Sequence, residues 1–297
     1  MAISEAQLDT WSKQGSVTQS QATYATVRRC LEASDAPYAG RSTSIFLQGS
    51  YGNDTNIYAD SDVDVVIVTD SVFYHSDDDL TPDEQTAIRA VLTGGGGYTY
   101  NQFKADVLAQ LTKKFGNAVT PGKKAIFVKG EGSRRDADVL PAVEFRQYTR
   151  FKTYSDSDYH KGITFWTADG VQIINYPKHH SANATTKHQA TNGYFKPTVR
   201  IFKNMRNAMI AKGYVAEGVA PSYFLEGMLY NVPDNQFGGT YADTCVNALN
   251  WLHKCDRGPL VCANERHYLL RANSKVCWNP QDFEIYLATA IKFWNAS

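Results

Sequence analysis

The segment Asp62-Val63-Asp64-Val65-Val66-Ile67-Val68 constrains this chain more than any other. An unbroken run of β-branched residues reads as a strand buried on both faces. Side chains alternate along a strand, so Asp62 and Asp64 share one face while Val63 and Val65 take the other. At the usual rise the two acidic Cα atoms stand ~6.6 Å apart. Carboxylates that close repel each other unless a cation lies between them. A hard divalent ion with oxygen ligands removes the repulsion. Two such ions, ~3.5–4 Å apart, can clamp the attacking and leaving oxygens of a phosphoryl transfer. The plainer alternative is a solvated acidic strand edge that discourages aggregation. Asp60-x-Asp62-x-Asp64 also opens like an EF-hand loop. That loop needs Gly at its sixth position and Glu at its twelfth. Here those positions hold Val65 and Ser71, which excludes it.

Gly49 and Ser50 precede Asp62 by 13 and 12 residues. A Gly-Ser turn can present backbone N–H groups and a hydroxyl to phosphate oxygens without a side chain in the way. Such a pair says little alone; followed by a short spacer and an Asp-x-Asp entering a buried strand, it says much more. A third carboxylate is offered by Arg134–Phe145, where Asp136 and Asp138 alternate on another apolar strand. Either could complete a metal site, although Asp136 suits a surface pair with Arg134 or Arg135 better. Pro141 is expected to end or edge that strand.

Lys and Arg total 30, as do Asp and Glu, so no global basic field exists to gather nucleic acid. The five cysteines (Cys30, Cys245, Cys255, Cys262, Cys277) form no C-x-x-C pair, and the last three do not have the usual spacing of a zinc site. No apolar segment opens the chain and no run approaches a membrane span, so the expectation is a cytoplasmic protein with reduced thiols.

Along the chain, residues 4–35 read as two helical stretches, the second capped by Ser16 or Thr18. Residues 43–47 read as a strand turning at Gly49, and Pro82 opens a helix. The run Gly94–Gly97 marks a mobile connector, and no phosphate-cradling G-x-x-x-x-G-K-[ST] occurs anywhere. Residues 100–116 form an amphipathic helix with Phe103, Val107, Leu108, Leu111 and Phe115 on one face and Gly116 as its cap. Strand-length apolar runs follow at 124–129, 136–140, 142–148, 162–166 and 171–175. Helical patterns then cover 195–213, 221–231, 241–255 and 281–294. The expected fold class is therefore mixed α+β, a sheet-bearing lobe over 1–177 followed by a helical lobe over 178–297.

Five ordered blocks give the chain a family resemblance: GSYGNDTNI (49–57), SDVDVVIV (61–68), ADVLPAVEFRQY (137–148), FKPTVRIFKNMRN (195–207) and APSYFLEGML (220–229). With these the chain resembles the DNA polymerase β-like nucleotidyltransferases, and more closely the bacterial cGAS/DncV-like nucleotidyltransferases (CD-NTases). The resemblance implies a twisted-sheet nucleotidyltransferase lobe, a C-terminal helical lobe and an active site in the cleft between them. It implies Asp62, Asp64 and Asp138 as the catalytic, metal-binding triad. It assigns Gly49, Ser50, Lys203 and Ser222 to the nucleotide phosphates, and leaves Asp136 and Asp60 outside. Two Mg2+ ions, replaceable by Mn2+, are implied as cofactors. So is attack of an acceptor ribose hydroxyl on the α-phosphate of ATP, GTP or another NTP, with release of pyrophosphate.

The implied product is a cyclic oligonucleotide second messenger of antiphage (CBASS) signalling, with a purine cyclic dinucleotide such as a cyclic GMP-AMP isomer as the leading expectation. A product-sensing effector is the implied partner; neither a membrane nor a nucleic acid is required. A cyclic trinucleotide or linear oligonucleotide synthase of the same fold, or a catalytically silent nucleotide-binding module, are the alternatives. Asn175, Tyr176, His179 and His180 could stack on or read bases at an acceptor pocket, but a packing or surface role is the favoured reading of each.

Overall fold

A computed structural model describes residues 3–15, 17–59, 62–94 and 97–296. Ser16, Asp60, Gly95 and Gly96 lie outside the described residues. In chain order the elements are α1 (Glu5–Ser12), α2 (Thr18–Leu31), β1 (Thr43–Leu47), α3 (Gly49–Gly52), β2 (Val63–Ser76), α4 (Pro82–Val91), α5 (Tyr100–Phe115), β3 (Val119–Pro121), β4 (Ile126–Val128), β5 (Ala137–Thr153), β6 (Asp156–Trp166), β7 (Gln172–Asn175), α6 (Pro177–Ala190), α7 (Phe195–Ala211), α8 (Ser222–Tyr230), α9 (Tyr241–Lys254) and α10 (Pro280–Ala296). The fold is mixed α+β. Two compact units emerge: Thr18–Gln48 with Ser61–Pro177, and Met1–Val17 and Gly49–Asp60 with Lys178–Ser297. Thus α1 and α3, which precede the sheet strands β2–β7, belong to the helical unit.

The first unit is built on a seven-stranded sheet. Its path runs β1-β2-β5-β4-β3, with β6 pairing β5 and β7 pairing β6. β2 and β5 are parallel; the other pairs are antiparallel. Val63, Val65 and Ile67 on one face of β2, and Val66 and Val68 on the other, are all buried. That is why this strand carries an unbroken apolar run instead of alternating. α4 begins with Pro82 at its first position, fixed by a reciprocal Thr81–Glu84 capping box. α5 starts on a second capping box and ends at Gly116, whose φ is 54°. Its buried face comprises Tyr100, Phe103, Val107, Gln110 and Leu111, while Leu108 and Phe115 are only half-buried. Gln110 gains its place through a polar bond, its Nε2 donating to the Cys30 carbonyl at 2.9 Å.

Pro141 neither ends nor edges a strand: it sits inside β5, opposite Ile67 of β2. On the other flank β4 pairs residues 137–139 and β6 takes over at Val143. The proline falls between these two partners, where its missing N–H leaves no gap in either ladder.

The helical unit packs around α7. Phe195, Val199, Phe202, Met205 and Met209 meet Leu225, Met228 and Leu229 of α8, Ala248 and Leu252 of α9, and Phe283 and Leu287 of α10 in one core. α6 was not among the helices read from the pattern. Only His180 and Ala184 of its 14 residues are buried, so it carries no apolar stripe to read. All five cysteines are free thiols, with Cys30, Cys245 and Cys262 buried. Among the described residues no helix is long and apolar enough to cross a membrane.

Candidate active site

Two parallel strands carry the acidic cluster of the sheet unit. Asp64 lies directly opposite Asp138 in the β2–β5 register, with Val63 opposite Ala137 and Val65 opposite Val139. Neighbouring strands run ~4.8 Å apart, so the two carboxylates project side by side from one face. The flanking Val63, Val65, Ala137 and Val139 are fully buried and anchor both strands. Backbone bonds complete the frame: Val63 N–H donates to the Asp136 carbonyl at 3.0 Å, and Gln48 N–H to the Asp64 carbonyl at 3.0 Å. Asp62 stands exposed just ahead of β2. Partial burial, and then the charges of Asp62 and Asp136, push the Asp138 carboxyl above its ordinary pKa.

That electrostatic strain is what a bound cation relieves, and the donors are all hard carboxylate oxygens suited to Mg2+ or Mn2+. In this structure the acids are neighbours and not a closed cage. Among the described residues no three His, Cys, Asp or Glu side chains converge closely enough to hold an ion. Asp136 is occupied elsewhere: its Oδ1 accepts from the Gly130 N–H at 2.6 Å and closes the 130–136 loop.

The residues assigned to phosphates lie in the helical unit. Gly49 has φ 64°, a conformation that favours glycine, and opens the short α3. Asn53 N–H returns to the Gly49 carbonyl at 3.1 Å and Thr55 N–H to that of Ser50 at 2.9 Å. Lys203 is 0% exposed, and its Nζ donates to the Thr55 carbonyl at 3.0 Å. It is one of a row. Lys196 meets the Asp54 carboxylate at 3.0 Å, and Arg200 donates to the carbonyls of Asp54 (2.6 Å) and Ser12 (2.5 Å). Positions 196, 200 and 203 fall on one face of a helix, and here that face grips the 54–55 segment. One turn on, Arg206 Nη1 donates to the Ser222 Oγ at 3.1 Å and to the Ala220 carbonyl at 2.8 Å.

Sequence reading singled out Lys203 and Ser222 but passed over Lys196, Arg200 and Arg206. The signal was there: cations at helical spacing on an otherwise apolar helix. His180 is not a surface base reader; it is 2% exposed and stacks on Tyr223 with centroids 4.9 Å apart. Tyr176 is buried too, its hydroxyl donating to Gln147 Oε1 at 2.9 Å.

Residues 182–295 match the family model of the cGAS/DncV-like nucleotidyltransferase C-terminal helical domain. The chain is 40% identical over 266 residues to the cyclic UMP-AMP synthase of Rhodothermus marinus, covering 89% of this chain and 88% of that protein. It is 36% identical to a cyclic nucleotide synthase of Staphylococcus haemolyticus, covering 99% of each. The fold superposes on the solved structure of the Rhodothermus marinus c-UMP-AMP synthase with Apcpp and Upnpp at a TM-score of 0.88, with 36% identity and coverage of 99% of this chain and 97% of that one. Family model, near-full-length identity and fold agree, and the chain belongs to the cGAS/DncV-like nucleotidyltransferases.

Proposed function

We propose that this enzyme is a divalent-metal-dependent cyclic dinucleotide synthase that joins an adenylate to a second nucleotide. The observation that carries the reading is the register of Asp64 against Asp138 on adjacent parallel strands, with Asp62 two residues ahead of Asp64. When bound at these carboxylates, Mg2+ or Mn2+ supplies charge neutralisation at the reacting phosphate and acidifies the acceptor hydroxyl. Asp138, directly opposite Asp64 on the adjoining strand, is suited to accept the proton that this hydroxyl loses. The new ribose O–Pα bond replaces the bond to pyrophosphate, which leaves. A second such step closes the ring and releases a second pyrophosphate. Gly49 and Ser50 offer N–H and hydroxyl donors to the triphosphate, and the Arg206-held Ser222 offers another.

ATP as one substrate is supported by the Rhodothermus marinus synthase, solved with Apcpp and Upnpp. That same likeness supports UTP as the partner nucleotide over the GTP expected from the sequence. By the family resemblance the product would serve antiphage signalling through a product-sensing effector.

The test is direct. The protein is incubated with all four NTPs and Mg2+ or Mn2+, treated with phosphatase, and the surviving product identified by mass spectrometry. A phosphatase-resistant cyclic dinucleotide containing one adenylate is expected. Phosphatase-trimmed linear oligomers would move the chain to the linear synthases, and a larger ring to the trinucleotide synthases.

A further inference from the structure

Glu226, 2% exposed on α8, belongs to the helical unit, whereas the carboxylate triad belongs to the sheet unit. Its two oxygens accept three side-chain bonds. Asn53 Nδ2 donates to Oε2 at 2.9 Å, Thr55 Oγ1 to Oε1 at 2.5 Å, and His180 Nε2 to Oε2 at 2.6 Å. Two of these donors stand on the five residues after Ser50, and the backbone N–H groups of the same two residues bond back to Gly49 and Ser50. Lys203 holds the Thr55 carbonyl at 3.0 Å. The whole segment is therefore tied at its side chains to one buried carboxylate and at its backbone to the Gly-Ser turn.

We infer that Glu226 is the positioning residue of the nucleotide-phosphate turn: through Asn53 and Thr55 it fixes the conformation in which Gly49 and Ser50 receive the triphosphate. The inference rests on the phosphate role of Gly49 and Ser50 proposed above. Folding alone does not call for such a residue, because a buried ion network is often neutral or unfavourable to stability against apolar side chains of the same volume. What it provides is a single loop conformation, since Asn53 and Thr55 both belong to that loop. Burial by itself would raise the Glu226 pKa. The His180 hydrogen bond and charge, the Thr55 hydroxyl and the Lys203 ammonium outweigh burial and hold it below the ordinary carboxyl value. The group is thus an ionised acceptor at neutral pH, able to hold all three donors at once.

The experiment uses the full chain with Ser50→Ala, Thr55→Val and Glu226→Gln. For each, Kd for the non-hydrolysable analogue Apcpp, KM and kcat for NTP turnover, and the thermal midpoint are measured. Loss of the ionised acceptor loosens the loop and is expected to raise Kd and KM by roughly 10- to 100-fold in Glu226→Gln, with kcat much less affected. Thr55→Val, nearly isosteric, is expected to follow in the same direction with a smaller change, and decides the matter if Glu226→Gln does not fold. Should both lower the thermal midpoint while Kd and KM stay at wild-type values, and Ser50→Ala still weaken Apcpp binding, the positioning role is overturned and the phosphate turn stands. Unchanged Apcpp affinity in Ser50→Ala overturns the phosphate turn itself, and the inference with it.

Discussion

Asp138 experiences both sides of the site's design. Its carboxyl is pushed up by burial and by two neighbouring acids, so its ionised form opposes folding, a cost that a cation would offset on the metal role proposed above. Removing that charge is expected to help the fold and end the chemistry. In chelator, Asp138→Asn should melt at or above the wild-type midpoint. Added Mg2+ should raise the wild-type midpoint and leave that of the variant unmoved, because an ion that binds the native state stabilises it. Turnover should fall by roughly 10³-fold or more, as it should in Asp64→Ala. A wild-type midpoint indifferent to Mg2+ and Mn2+, or a fully active Asp64→Ala, would sink the metal assignment.

At this scale the sequence was legible where the pattern is local. Asp62, Asp64 and Asp138 are each marked by an apolar strand that begins at or beside them. Glu226 was not legible, because its partners are 171, 173 and 46 residues away along the chain. Within its own helix it is merely an acid among apolar neighbours.

Among the elements, α7 is the most instructive. Its apolar positions announced a buried helix, and Lys203 was read as a cation directed at phosphate. The structure buries Lys203 and bonds it to the Thr55 carbonyl, with Lys196 and Arg200 holding the preceding residue. Two modes of action can be separated. A lysine that meets phosphate directly contributes binding that weakens with salt and little fold stability. One that supports the turn from within contributes both. Lys203→Met, which keeps most of the stem volume, is therefore expected to cost about 1–3 kcal/mol of stability by orphaning a buried carbonyl, and to weaken Apcpp binding as well. Loss of binding with an unchanged denaturation midpoint would favour direct phosphate contact.

α6 and β5 show the two ways in which elements escaped the pattern. A helix with only two buried residues has no stripe to find, and a proline inside a strand reads as a boundary until the neighbouring ladders are known.

For the molecule as a whole, the sheet-then-helix order was visible in the change of period from two to 3.6, because that change is a local property. The composition of the helical unit from three separated stretches was not, since nothing local tells α1 or α3 to leave the neighbouring strands. Charge is the one global quantity the sequence states outright: 30 basic against 30 acidic residues. A protein that collected polynucleotide along an extended groove would gain affinity from released counterions, and the basic excess for that is missing. Product formation is therefore expected to proceed at the same rate, within about twofold, after nuclease treatment and after addition of duplex DNA or RNA. Raising monovalent salt should act on KM for NTP through a few phosphate contacts, and not through the steep dependence of a polynucleotide-activated enzyme. Stimulation of tenfold or more by added duplex would show that the basic residues, though balanced in number, are gathered on one surface. The enzyme would then be a sensor of nucleic acid as well as a synthase.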